Sequence, residues 1–251
     1  MAIQGVIFDL GHTLMHLTST WSEVFDRGVV DLAAFLASRG LDLDGQAFGQ
    51  ALLDRRAEGF VHARETMREV TAEDSMRWTF ASFGWTDPDP ALVCEAIDAF
   101  FAYERARWSV DPEAHAVLRQ LSEQGLRLGM FSNATDDRFI QRLVDDLGLR
   151  PWLDPALSSA GTGVRKPDPA AFLPLLAAWN LPPDSVVMVG DTLEADILGA
   201  QRAGMKTVWY QSREDGRQEE FGSSRPGRVE PILPDATIDR LGELPGILAR
   251  Q

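Results

Sequence analysis

From Leu126 onward the chain alternates between short apolar runs and helical segments, and that alternation limits the fold more than any other feature. Residues 126–131, 156–159, 186–189 and 205–210 read as buried strands, being short, apolar and bounded by turn residues. Residues 134–147, 169–180 and 195–203 between them read as helices. Strands that alternate with helices are joined by right-handed crossovers and lie parallel in one sheet. A further apolar run at 3–8 holds three β-branched residues, Ile3, Val6 and Ile7, and reads as another buried strand. The expected fold is α/β, with a Rossmann-like parallel-sheet core in three layers (α/β/α).

Between Leu14 and about residue 107 no strand pattern is visible. Thr20 and Glu23 have the spacing of a capping box, followed by Val24, Phe25, Val29, Leu32 and Leu36 on one helical face and by Gly40 as a stop. A second helix runs from Asp44 towards Val70, weakened in its middle by Gly59. Thr71 caps a third that Gly84 ends, and Val93, Ile97, Phe100, Phe101 and Glu104 lie on a fourth. The predicted organisation is a core of residues 1–14 and 108–251, with 15–107 as a separate helical cap. Asp111 and Pro112 open the first helix after it. Residues 211–231 are polar and read as a surface loop, and 237–248 read as a closing helix.

Charge and composition exclude several classes of function. The net charge is −14 with an isoelectric point near 4.7, and no run of Lys or Arg is present. A duplex-binding surface needs a basic patch, so nucleic acid is not an expected partner. No window is apolar enough to span a bilayer, and the N-terminus shows no basic segment leading into an apolar one. The single cysteine, Cys94, allows no disulfide within the chain. These features predict a cytoplasmic protein acting on a small molecule. They leave the oligomeric state open.

Four stretches place reactive groups at predicted strand ends, where open α/β sheets bind ligands. Asp9 follows the first strand directly; it reads equally as a site carboxylate or as a turn residue. Ser132 and Asn133 end the 126–131 strand, next to a helix start, where they can meet an anion or simply cap the helix. Lys166 is one of only two lysines among 24 basic residues. A compact ammonium there suits clustered carboxylates and a phosphate better than a planar guanidinium. Asp191, Glu194 and Asp196 follow the 186–189 strand. Hard oxygen ligands at a sheet edge suit Mg²⁺, with substrate phosphate completing its shell. Complementing the helix dipole accounts for Glu194.

The ordered set Phe8-Asp9-Leu10-Gly11-His12-Thr13-Leu14, Phe131-Ser132-Asn133, Arg165-Lys166-Pro167-Asp168 and Gly190-Asp191-Thr192 with Asp196 resembles the haloacid dehalogenase-like hydrolase superfamily. The helical insert after the first motif looks like that family's C1 cap. The resemblance implies a phosphatase for a small phosphorylated metabolite, with Asp9 as nucleophile forming an aspartyl-phosphate. It implies that Ser132 and Asn133 hold the phosphoryl group, that Lys166 contacts the phosphate and screens Asp9 from it, and that Thr13 orders the loop. It also implies that Asp9, the carbonyl of Gly11 and Asp191, supported by Asp196, bind Mg²⁺. One position departs from the pattern. Phosphatases of the family normally carry a general-acid Asp two residues after the nucleophile, and here Gly11 stands there. His12, which can titrate near neutral pH, is the candidate substitute. Two other readings stay open: a metal-independent 2-haloacid dehalogenase, and a binding or regulatory protein with weak or lost turnover.

Overall fold

The structure is a computed structural model that describes residues 2–211 and 231–249. Its strands are β1 (Gly5–Phe8), β2 (Met15–Leu17), β3 (Trp108–Val110), β4 (Arg127–Ser132), β5 (Ala156–Ser158), β6 (Val186–Gly190), β7 (Lys206–Tyr210) and β8 (Ala236–Ile238). Six of them form one sheet in the order β5-β4-β1-β6-β7-β8. Every pairing in it is parallel. The chain builds outward from β1 to β4 and β5, then returns to β6 on the other side. The strand order therefore reverses beside β1, and the crevice there is where such sheets take ligands.

Every residue of β1 and β6 is buried, as their unbroken apolar sequence requires of strands covered on both faces. Side chains alternate between faces. Val6 and Phe8 pack with Val117, Leu118 and Leu121 of α5 (Ala114–Glu123) and Leu143 of α6 (Asp137–Asp146). Ile7 and Met188 pack on the opposite side with Phe172, Leu175 and Trp179. Two apolar layers on one sheet make the three-layer architecture that the alternation predicts.

Four helices lie between β2 and β3: α1 (Trp21–Ser38), α2 (Gly45–Thr66), α3 (Ala72–Ser82) and α4 (Pro90–Arg105). They share a core of their own around Leu32, Phe48, Phe80, Ile97 and Phe100. Thr71 and Asp74 form a reciprocal capping box at the start of α3. The Gly59 that would weaken α2 in isolation is buried in it, and a Cβ there would lie 2.9 Å from Val70 Cγ1. The helix thus gives up propensity for a close approach of the α2–α3 loop. Among the described residues no helix is long and apolar enough to cross a membrane.

Three expectations are corrected. Residues 15–17 are not helical: β2 pairs antiparallel with β3, Met15 opposite Val110 and Leu17 opposite Trp108. Three residues offer no readable period, and their partner lies far along the chain. Residues 237–248 are not one helix. Thr237 and Ile238 belong to edge strand β8, paired to β7, and only Leu244–Leu248 is α-helical. The 195–203 helix opens with a wide π-turn at Leu193–Leu198 before the α-turn Gly199–Arg202. The loop expected at 211–231 lies, apart from its two end residues, outside the described residues.

Candidate active site

The central three strands deliver their ends to one place. The backbone N–H of Asp9 donates to the Val189 carbonyl at 2.9 Å, so Asp9 is the first residue past the paired part of β1. Ser132 ends β4 on one side, and Asp191 follows β6 on the other. The indole N–H of Trp209 on β7 donates to the Asp191 carbonyl at 2.8 Å and fixes that turn.

Lys166 joins these groups. Its Nζ donates to Asp9 Oδ1 at 2.5 Å and to the Phe131 carbonyl at 2.8 Å, and lies 2.7 Å from Asp196 Oδ1. Both the lysine and Asp196 are almost completely buried. Burial alone would lower the ammonium pKa, but the carboxylates of Asp196 and Asp9 outweigh it and push it up to about 12. Lys166 is thus a permanent cation at any physiological pH. The other oxygen of Asp196 accepts the Thr192 N–H at 2.9 Å. Asp196 lies against the backbone of Gly190, where a Cβ would come within 2.3 Å of its Oδ2. Only glycine lets the carboxylate sit there.

Carboxylate oxygens of Asp9, Asp191 and Asp196 lie within 4.8 Å of one another. Like charges at that range repel by about 3 kcal/mol per pair at an effective dielectric of about 20. Lys166, in contact with Asp9 and Asp196, offsets part of that repulsion. Hard oxygen donors converging at the strand ends are the donor set that Mg²⁺ requires, so the residues present fit that ion.

The remaining predicted residues fall into place unevenly. Asn133 is beside the site, but its side chain braces the lysine: Oδ1 accepts the Lys166 N–H and Nδ2 donates to the Lys166 carbonyl, both at 2.9 Å. Thr13 is buried, and its Oγ1 has no hydrogen-bond partner among the described residues. His12 takes the left-handed conformation (φ 58°), and its ring meets the indole of Trp108 edge-on at 5.6 Å. Gly11 bridges to Met15 and is not among the positive-φ glycines. A Cβ added to Gly11 would meet only Trp108, at 3.7 Å.

Sequence reasoning gave no role to four contributors: Trp108, Arg165, Glu69 and Ser159. Trp108 borders the side-chain space left open at Gly11. Arg165 is buried and pairs with Glu69 of the α2–α3 loop. Ser159 donates to the same carboxylate at 2.5 Å. Arg165 stood next to the lysine in the sequence, but nothing in the local pattern around Glu69 marks its partner.

Residues 3–204 match the family described as haloacid dehalogenase-like hydrolase. The chain belongs to that family. This haloacid dehalogenase-like hydrolase is 32% identical over 251 residues to the ribulose-1,5-bisphosphate 5-phosphatase of Halopiger xanaduensis, covering 98% of this chain and 99% of that one. It is 37% identical over 120 residues to the phosphoserine phosphatase of Thermus thermophilus, covering 48% of this chain. That match spans about half of the relative's length, 47%. Among solved structures, the 2-haloacid dehalogenase of Pseudomonas syringae superposes with a TM-score of 0.70 at 26% identity, covering 99% of each chain.

Proposed function

We propose that this hydrolase is a Mg²⁺-dependent cytoplasmic phosphatase of a small phosphorylated metabolite, working through an aspartyl-phosphate on Asp9. The observation that carries the reading is the buried Lys166 held between Asp9 and Asp196, with Asp191 in the same carboxylate cluster. Phosphatases among the relatives support the substrate class.

Asp9, Asp191 and the Gly11 carbonyl would hold Mg²⁺, with Asp196 orienting the site through Lys166 and Thr192. When bound, the ion stabilises negative charge developing on the transferring phosphoryl group. Lys166 fixes the rotation of the Asp9 carboxylate and offers positive charge to the phosphate. Ser132 offers a hydroxyl at the neighbouring strand end. Asn133 serves by keeping Lys166 in place. Thr13 holds the loop after β1 from its buried position. Attack by Asp9 forms a mixed anhydride and releases an alkoxide that must gain a proton. Gly11 cannot supply it, so His12, the substrate or water does. Residues 15–107 act as a cap over this end of the sheet.

The test is phosphate release from a panel of phosphorylated metabolites. Activity should vanish in EDTA and return with Mg²⁺, and Asp191→Asn should weaken Mg²⁺ binding measured by calorimetry. Full hydrolysis in chelator, or halide release from a 2-haloacid without metal, would replace this reading with the dehalogenase one. The structural likeness to a dehalogenase is what makes that comparison necessary. A stable acyl-phosphate with no turnover would favour a regulatory protein.

A further inference from the structure

The residues that hold Lys166 form a closed ring, and one member comes from the helical insert. Glu69 lies in the α2–α3 loop, and its side chain is almost completely buried. Both its oxygens accept from Arg165 Nη1 at 3.1 Å. Oε2 also accepts from the Ser159 hydroxyl at 2.5 Å. Arg165 precedes Lys166 in the chain. The Ser159 oxygen in turn accepts the Ala134 N–H at 2.9 Å, directly after Asn133. Asn133 then grips both backbone groups of Lys166. The circuit runs from Glu69 to Arg165, Lys166, Asn133, Ala134, Ser159 and back. It ties together the two loops that carry the lysine and the Ser132 hydroxyl.

The backbone reinforces the same join. Glu69 N–H donates to the Gly163 carbonyl at 3.1 Å, Arg165 N–H to the Met67 carbonyl at 3.2 Å, and Ala72 N–H to the Thr135 carbonyl at 2.7 Å. The Arg165 guanidinium also lies over the Phe60 ring of α2, 5.1 Å from its centroid. A buried guanidinium held by a buried carboxylate is costly to leave half-made, so the arrangement has one favoured geometry.

We infer that Glu69 is a positioning residue: from the insert, its carboxylate locks the Lys166 loop to the loop following Ser132. Lys166 cannot drift from Asp9 while its backbone is gripped by Asn133 and its neighbour by Glu69. The inference rests on the proposed roles of Lys166 and Ser132 in phosphoryl transfer.

Two readouts on the full-length protein test it. In Glu69→Gln, the amides of Ala134 and Lys166 should exchange with solvent about tenfold faster or more, while those of Ile7 and Phe8 keep their protection. With p-nitrophenyl phosphate and Mg²⁺, kcat should fall about tenfold or more with little change in KM, because misplacement acts on the transition state. Should Glu69→Gln fail to fold, the pair Glu69→Gln/Arg165→Gln removes the unpaired guanidinium charge and should show the same two effects. Asp98→Asn is the control. It loosens a different tether of the insert, the pairs from Asp98 to Arg138 and Arg142 on α6, and should leave kcat within about twofold. Unchanged exchange at both amides, or an equal loss of kcat in Asp98→Asn, would overturn the inference. Were the wild type inert towards phosphate esters, the phosphatase reading would fall while the exchange measurement still decided the role of Glu69.

Discussion

Replacing Gly190 by alanine puts a methyl group where Asp196 already stands. The new Cβ would lie 2.3 Å from Asp196 Oδ2, 2.4 Å from Cγ and 2.7 Å from Cβ. Clash along the whole side chain cannot be relieved by a rotamer change at its tip, so Asp196 must move as a unit or β6 must shift. Overpacking of this kind costs about 1–3 kcal/mol. Moving Asp196 also breaks its 2.7 Å contact to Lys166 and its hydrogen bond from Thr192. Complete removal of one partner from a buried pair costs about 3–5 kcal/mol, but Asp9 still pairs the lysine here, so a total near 3 kcal/mol is expected. For a chain of this length that is a fall in Tm of about 6–12 °C. Calorimetry or urea unfolding of Gly190→Ala measures it. The decisive comparison is the same substitution in an Asp196→Gly background, where all three obstructing atoms are gone and alanine at 190 should cost less than about 0.5 kcal/mol. An equal cost in both backgrounds would show that the strain lies elsewhere in β6 and would refute the account of Asp196.

Three other predictions concern Gly11 and Glu104. Wild type should show a burst and then slow turnover with an aryl phosphate, and alkyl phosphates should turn over more slowly still, since a general acid contributes about 10²–10⁴-fold. Gly11→Asp should raise the steady-state rate, because its backbone is free of positive φ and a Cβ there meets Trp108 at an ordinary 3.7 Å. Fast alkyl-phosphate turnover in both wild type and His12→Ala would show that another group supplies the proton. Glu104 is 7% exposed, and burial pushes its carboxyl up to about 6 against the opposing pull of Arg56 and the Trp108 indole N–H. Because the folded pKa is raised, its stabilisation is present below about pH 4.5 and lost as pH rises through about 6, up to about 2 kcal/mol in all. Urea unfolding at pH 5 and pH 8 should show more than half of that loss in wild type and a smaller one in Glu104→Gln; identical pH dependence in the two proteins would refute it.

Much of this protein is legible without coordinates. The apolar runs ending in Asp9, Ser132 and Asp191 announced a parallel sheet with its chemistry at the strand ends, because a strand buried on both faces has almost no choice of residues. Helix starts at Thr20, Asp44 and Thr71 were equally readable, since a cap is made within four residues of chain. What sequence could not give is whatever depends on partners distant along the chain. The ribbon of β2 and β3 and the edge strand β8 are three residues each, too short for a period, and exist only because another strand lies alongside. The motif order placed Asn133 at the site, but tertiary structure turned its side chain onto the backbone of Lys166. Trp108 lies beside Gly11 because the ribbon folds back there, and Glu69 meets Arg165 because Gly59 lets the α2–α3 loop pack closely. Local pattern determines which groups a strand end can present. Long-range packing decides which of them are held in place and by what, because a buried charge or amide is stable only where the folded chain brings it a partner.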